Sequence, residues 1–252
     1  MKKLTIESVK ICVICGFFFF GSVGFCEKGF VSTGARSMGI GGAVCGMVEP
    51  ASMLVNPAGL SFGTWSQMLY SYATDKNRGD WWTTVYPDLR SGVAAVSFVK
   101  RGDEKMVYLA YGKKGKGKLS YGMNLKFVKI KEEGGIGIDS GLLFSLNRRI
   151  NLGFSAINLI SSRIGDISQD RCFIMGLSFK RTEKMTLFTQ FSHQEKENTG
   201  FLGIEFIKGD ETIRLGVEDD AITLGLGGEL WGLNIDWAVV RNCHLFSLGF
   251  IY

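Results

Sequence analysis

Residues Leu119 to Phe127 read LSYGMNLKF. The odd positions Leu119, Tyr121, Met123, Leu125 and Phe127 are apolar, and between them stand Ser120, Gly122, Asn124 and Lys126. Strict alternation of this kind is the period of a β-strand, whose successive side chains point to opposite faces. One face is therefore apolar and aromatic, while the other carries glycine, hydroxyl, amide and charge. The pattern returns at Phe173, Met175, Leu177 and Phe179, at Leu202, Ile204 and Phe206, and at Leu233, Ile235, Trp237 and Val239. Fourteen such segments can be counted: 66–74, 80–86, 92–100, 104–113, 118–131, 137–147, 150–158, 171–181, 184–193, 199–208, 211–218, 220–230, 232–240 and 243–252.

A soluble sandwich would alternate in the same way, with its apolar faces turned inward. Here those faces are long and rich in aromatic residues, and strands of roughly 9–11 residues span a bilayer when tilted. The expected fold is all-β, a transmembrane antiparallel β-barrel of about 14 strands, closed so that no strand edge is left to lipid. Lys126, Asp139, Glu205, Arg214, Glu218, Glu229 and Asp236 fall on the face opposite the apolar belt. Charges are costly in lipid, so this face must be the lumen. They read as a polar conduit, as a network holding a plug, or as the paired interior of any small barrel. Gly122, Gly141, Gly153, Gly176, Gly203, Gly225 and Gly249 share that face and suit close packing of something against the wall.

Upstream, Met1 to about Gly24 reads as a secretory signal peptide. Lys2 and Lys3 precede an apolar run from Ile11 to Phe20, and Ser22-Val23-Gly24 offers a cleavage site, with cleavage after Cys26 as the alternative. Without residues 1–24 the formal charge falls from +5 to +3, because the leader holds three lysines and one glutamate. So slight an excess, unclustered, argues against a nucleic-acid partner. Residues 27–64 then form a segment too apolar for a linker and too rich in glycine for a long helix, and residues 65–252 form the barrel. Five glycines lie between Gly34 and Gly46. Pro50 can open a short helix. Asn56-Pro57-Ala58-Gly59 reads as a turn with Gly59 free to take positive φ.

The order Gly34-Ala35-Arg36-Ser37-Met38-Gly39, Gly41-Gly42-Ala43, Glu49, Ala51-Ser52 and Asn56-Pro57-Ala58-Gly59-Leu60 resembles the N-terminal signature of outer-membrane barrels related to the fatty-acid transporter FadL and to the PorV/PorQ proteins. Family members carry two acidic residues before Ala-Ser, where this chain has Glu49-Pro50. Asp139 to Leu143, Ala156 to Leu159, Asp236 to Ala238 and His244 to Phe250 resemble the PorV branch more closely. The resemblance implies a bacterial outer-membrane location and a hatch in the lumen, with Gly34, Gly39, Gly41, Gly42, Asn56, Pro57 and Gly59 as its structural motif. Phe246, Leu248, Phe250 and Tyr252 at alternate positions resemble the terminal strand by which such barrels are recognised for insertion, so outer-membrane lipid and the barrel-assembly machinery are the implied partners.

Other constellations carry little chemistry. Gly112 to Lys118 nearly spells a phosphate loop, but Leu119 stands where Ser or Thr should hold magnesium, and a strand follows instead of a helix. Cys12 and Cys15 lie in the leader. Cys45, Cys172 and Cys243 show no ligand spacing; they permit at most one disulfide and otherwise read as small apolar fillers. His193 and His244 have no partner at metal-ligand spacing, so no metal and no cofactor is expected. No nucleophile elbow is legible and no enzyme is expected, although a lipase-like barrel with scattered catalytic groups is an alternative. The resemblance leaves two main readings: FadL-like passage or binding of small apolar molecules, and a PorV-like barrel that partners secreted surface proteins. A purely structural barrel is the third.

Overall fold

The computed structural model describes residues 34–64, 66–75, 79–88, 92–165, 168–195 and 197–251. The leader and Tyr252 lie outside them. Fourteen strands follow one another: β1 (Gln67–Ala73), β2 (Asp80–Asp88), β3 (Gly92–Arg101), β4 (Glu104–Lys114), β5 (Leu119–Ile130), β6 (Glu133–Asn147), β7 (Ile150–Ser161), β8 (Cys172–Thr182), β9 (Met185–Gln194), β10 (Glu197–Lys208), β11 (Glu211–Glu218), β12 (Ala221–Leu230), β13 (Leu233–Val240) and β14 (Cys243–Ile251). Each pairs antiparallel with its neighbours in sequence, and β1 pairs with β14 from Gln67–Ile251 to Ala73–Leu245, which closes the barrel.

The two faces separate as the alternation dictates. In β5, Ser120, Gly122, Asn124, Lys126 and Val128 are buried on the inner side, while Tyr121, Met123 and Phe127 are exposed on the outer. Phe98, Phe154, Phe173, Phe206, Leu224 and Phe246 continue the exposed belt around the wall. A soluble monomer would not expose a continuous apolar band of this extent. The solvent that suits it is a bilayer, and the chain is a membrane-spanning barrel.

Strand boundaries differ from expectation by more than two residues in two places. β6 starts at Glu133 instead of residue 137, because Gly134 and Gly135 pair with Lys129 and Val128 although they present no side chain to read. β7 runs to Ser161 instead of residue 158. Its register against β6 slips by two residues between Ile138↔Ile160 and Ser140↔Ala156, with Asn158 at φ 55° in the slip. A bulge of this kind interrupts the period of two and hides the rest of the strand.

Gln67 and Ile251 lie side by side, so the wall begins and ends at one end of the barrel, the terminal end. At the opposite, far end the connections after β3, β5, β11 and β13 are two-residue turns, and the long one is 162–171 between β7 and β8. Inside lies the N-terminal segment, made of helix α1 (Ala35–Gly39) and two 3-10 helices, Pro50–Leu54 and Pro57–Phe62. It forms three apolar clusters with the wall, typified by Met53 and Leu60 against Trp81 and Val85, by Ile40 and Val44 against Phe188 and Phe201, and by Met38 against Val240 and Leu245.

Candidate functional site

The candidate site is the lumen and what fills it. Wall glycines allow backbone to lie on backbone. A Cβ at Gly225 would stand 2.9 Å from Gly39 Cα, one at Gly176 2.8 Å from Cys45 Cβ, and one at Gly112 2.8 Å from Leu60 Cβ. Gly122, Gly141 and Gly153 face Pro57, Asn56 and Cys45, and Gly203 and Gly216 face Ile40 and Gly41. Gly112 and Gly216 extend the expected set. Gly249 meets Leu69 of the wall instead of the N-terminal segment.

Polar wall side chains complete the seat. Gln190 Oε1 accepts from Val44 N and Cys45 N at 3.1 and 2.9 Å. Asn124 Nδ2 donates to Met53 O at 2.9 Å, Ser178 Oγ to Gly46 O at 2.8 Å and Thr223 Oγ1 to Gly39 O at 3.1 Å. Ser247 Oγ accepts from Ala35 N at 2.8 Å. These wall residues satisfy buried backbone groups that the short helices cannot pair among themselves. Sequence reading did not single them out; their signal is a lone hydroxyl or amide at an inward position beside a glycine.

Within the segment, Gly34, Gly41 and Gly42 have φ of 97°, 69° and 78°. Gly39 is helical and lies on Gly225. Asn56 caps the second 3-10 helix: its Oδ1 accepts from Ala58 N, and its Nδ2 donates to Cys45 O at 2.7 Å and to Leu142 O at 3.1 Å. Pro57 opens that helix. Here the expectation of a turn with Gly59 at positive φ is corrected. Gly59 lies inside the 3-10 helix, where its lack of a Cβ leaves room for Ser52 Oγ.

Five of the seven expected lumen charges fall into two groups. Lys126 Nζ donates to Asp139 Oδ1 at 2.8 Å, both buried, and the same oxygen accepts from Asn158 N in the β7 bulge. At the terminal end Arg214 Nε donates to Glu205 at 2.8 Å and Nη1 to Asp236 at 2.6 Å. Arg36, not expected in this role, pairs with Glu205 at 3.0 Å and with Glu49. The order Glu49–Arg36–Glu205–Arg214–Asp236 thus alternates in sign and ties the N-terminal segment to β10, β11 and β13. Glu218 faces inward near the far end, and Glu229 stands exposed at the terminal mouth.

Towards the far end the lumen has an apolar sector. Val99, Met106, Tyr108 and Val128 from the wall meet Ile164, which the β7–β8 connection folds inward. On the outer wall beside the bulge a groove of about 340 Å³ is lined by Leu142, Phe154, Phe173, Met175 and Phe191 above Ser140 and Ala156. His193 stands at its rim and meets Asn198 at 2.8 Å. His244 stacks on Trp237 at 5.8 Å. Phe246, Leu248 and Phe250 all face outward and are exposed. Cys45, Cys172 and Cys243 are buried free thiols, and burial pushes the Cys45 thiol up to about 12 despite the hydrogen bond from Asn56.

No protein-family model matches this chain, and no curated protein matches it. Solved structures do. The CymD monoaromatic hydrocarbon channel superimposes with a TM-score of 0.64 at 12% identity, over 86% of this chain and 95% of its own. The toluene transporter TodX of Pseudomonas putida gives 0.62 at 11%, over 87% and 97%. A Pseudomonas aeruginosa FadL homologue gives 0.60 at 12%, over 88% and 99%. The protein is a fourteen-stranded barrel with its N-terminal segment inside, and it shares its fold with these solved structures.

Proposed function

We propose that this protein is an outer-membrane barrel that binds small apolar molecules and passes them across the membrane. The observation that carries the reading is an apolar sector of the inner wall. A water-filled porin presents a polar interior, whereas here Val99, Met106 and Val128 lie towards the far end and pack with Ile164. The fold shared with hydrocarbon channels supports the same class of solute, and the signature shared with exported barrels supports the outer membrane as its location. The groove beside the β7 bulge offers an apolar surface where wall and lipid meet.

The test is uptake of a labelled fatty acid, and separately of toluene, by cells whose own channels are deleted and whose lipopolysaccharide leaflet is intact. Expression of this chain is expected to raise uptake of the apolar solutes and leave that of a small sugar unchanged. Replacing Ile164 by Asp should lower the apolar uptake. No rise in apolar uptake, together with capture of a secreted surface protein on the purified barrel, would overturn this reading in favour of a PorV-like partner role.

A further inference from the structure

We infer that the outer rim of the terminal end carries a docking surface for anionic phospholipid headgroups, built from three adjacent turns. The connection 113–118 between β4 and β5 reads KKGKGK, that between β6 and β7 holds Arg148-Arg149, and 180–184 between β8 and β9 reads KRTEK. Together they carry nine lysines and arginines against one acid, Glu183, which pairs with Lys180. The turns are tied side by side. Lys118 O accepts from Ser145 N at 2.9 Å and Lys118 Nζ donates to Leu146 O at 2.6 Å, while Arg149 O accepts from Lys180 N at 2.8 Å. This sector of the rim is therefore one continuous basic surface. The far end differs: Arg101 to Glu104 and Lys131 to Glu133 each set one base against two acids. Residues outside the described ones do not reverse the balance, since 1–33 hold four lysines against two glutamates and 89–91 add Arg90.

A second observation is the height of this surface on the wall. Tyr111 belongs to the exposed outer belt, and Lys113 follows two residues later in the same strand, so both point outward. Phe144 and Phe154 meet edge to face at 6.3 Å on the same belt, and Arg148 stands four residues beyond Phe144. Two to four residues are roughly 7–14 Å of strand. That step carries the chain from the hydrocarbon core into the headgroup layer, where lysine and arginine lay their stems on apolar surface and keep the charge in water. Phospholipid phosphate already lies at this height, whereas a soluble partner would have to approach from outside the bilayer. The charge then selects among lipids of one leaflet, because a zwitterionic headgroup has no net charge to answer it. Lys114 stands apart from the set, with its Nζ 4.5 Å from the Phe62 ring of the inner segment. The surface does not depend on which solute the lumen passes.

Native mass spectrometry of the purified barrel in a mild non-ionic detergent, titrated with dioleoyl phosphatidylglycerol or dioleoyl phosphatidylcholine, reads the affinity of retained lipid. Phosphatidylglycerol should bind at least about tenfold more tightly, the acyl chains being identical. The advantage should shrink severalfold as ammonium acetate rises from about 0.1 to about 1 M, where the screening length falls from roughly 10 to 3 Å. Lys116→Gln, Arg148→Gln, Arg149→Gln and Lys184→Gln all lie at exposed turn positions. Combined, they should weaken phosphatidylglycerol at least about tenfold and leave phosphatidylcholine unchanged, with an unboiled gel checking that the variant is folded. Lys129→Gln with Arg163→Gln, exposed near the far end, should change neither lipid. Equal affinity for the two lipids, or an unchanged preference in the four-site variant, would overturn the assignment. So would displacement of the lipid by an equal concentration of glycerol phosphate, which would mark a site for free phosphate, or of polyglutamate, which would mark an acidic protein partner.

Discussion

Gly41 has φ 69°, and a Cβ placed on it would stand 2.6 Å from Val217 O and Leu202 O, both backbone atoms of the wall. Valine there meets both a backbone conformation closed to branched residues and a neighbour that cannot move. Gly41→Val with Gly42→Val should unseat the segment while the wall, held by its own ladder, still closes. The expected outcome is a barrel that still migrates as folded in an unboiled gel yet conducts ions in a planar bilayer. A double variant as tight as the parent would show that the segment does not seal the lumen. Cys45 gives a second measurement at this scale. Its thiol is held up at about 12 by burial, so at pH 8 only about one part in ten thousand is thiolate, and the thiolate is the reactive form. Peptide mapping after maleimide treatment should find Cys45 unlabelled in the folded barrel and labelled after boiling in dodecyl sulfate.

At the scale of the element, β5, β6 and β7 are coupled by one carboxylate. Asp139 pairs with Lys126 and also accepts the Asn158 N–H that shapes the bulge. Lys126→Met leaves that carboxylate buried without its cation and should cost about 3–5 kcal/mol. Adding Asp139→Asn removes the stranded charge while keeping an acceptor for Asn158, so most of the loss should return; urea unfolding followed by tryptophan fluorescence reads both. A double variant no more stable than Lys126→Met would mean that the pair is not what holds these strands. The strands themselves were legible because a barrel in lipid keeps one face apolar along its whole length, as Tyr121, Met123 and Phe127 show. The bulge at Asn158 was not legible, since a two-residue slip breaks the alternation by which a strand is read. Nor were the partners of the inner segment. Gln190, Asn124 and Ser178 look in sequence like ordinary polar residues, and what they bond to is fixed by chain more than seventy residues away.

At the scale of the molecule, the exposed apolar belt predicts that the protein stays monodisperse only in detergent, with a gel mobility that changes on boiling. Deleting Tyr252, two residues after Phe250 in sequence, should lower the amount of barrel in the outer membrane, measured by quantitative blotting of membrane fractions. Unchanged levels would count against an insertion signal at this end of the chain. The hydrogen bonds of the inner segment also reach almost all the way round the wall. Its partners Asn124, Ser178, Gln190, Thr223 and Ser247 are spread from β5 to β14. The segment is made before every strand that holds it, and its first described contact, from Ala35, is to the strand that zips against β1. Seating the segment and sealing the seam therefore meet at one side chain, Ser247, which accepts from Ala35 and donates to Ser71 across the strand pair that closes the wall.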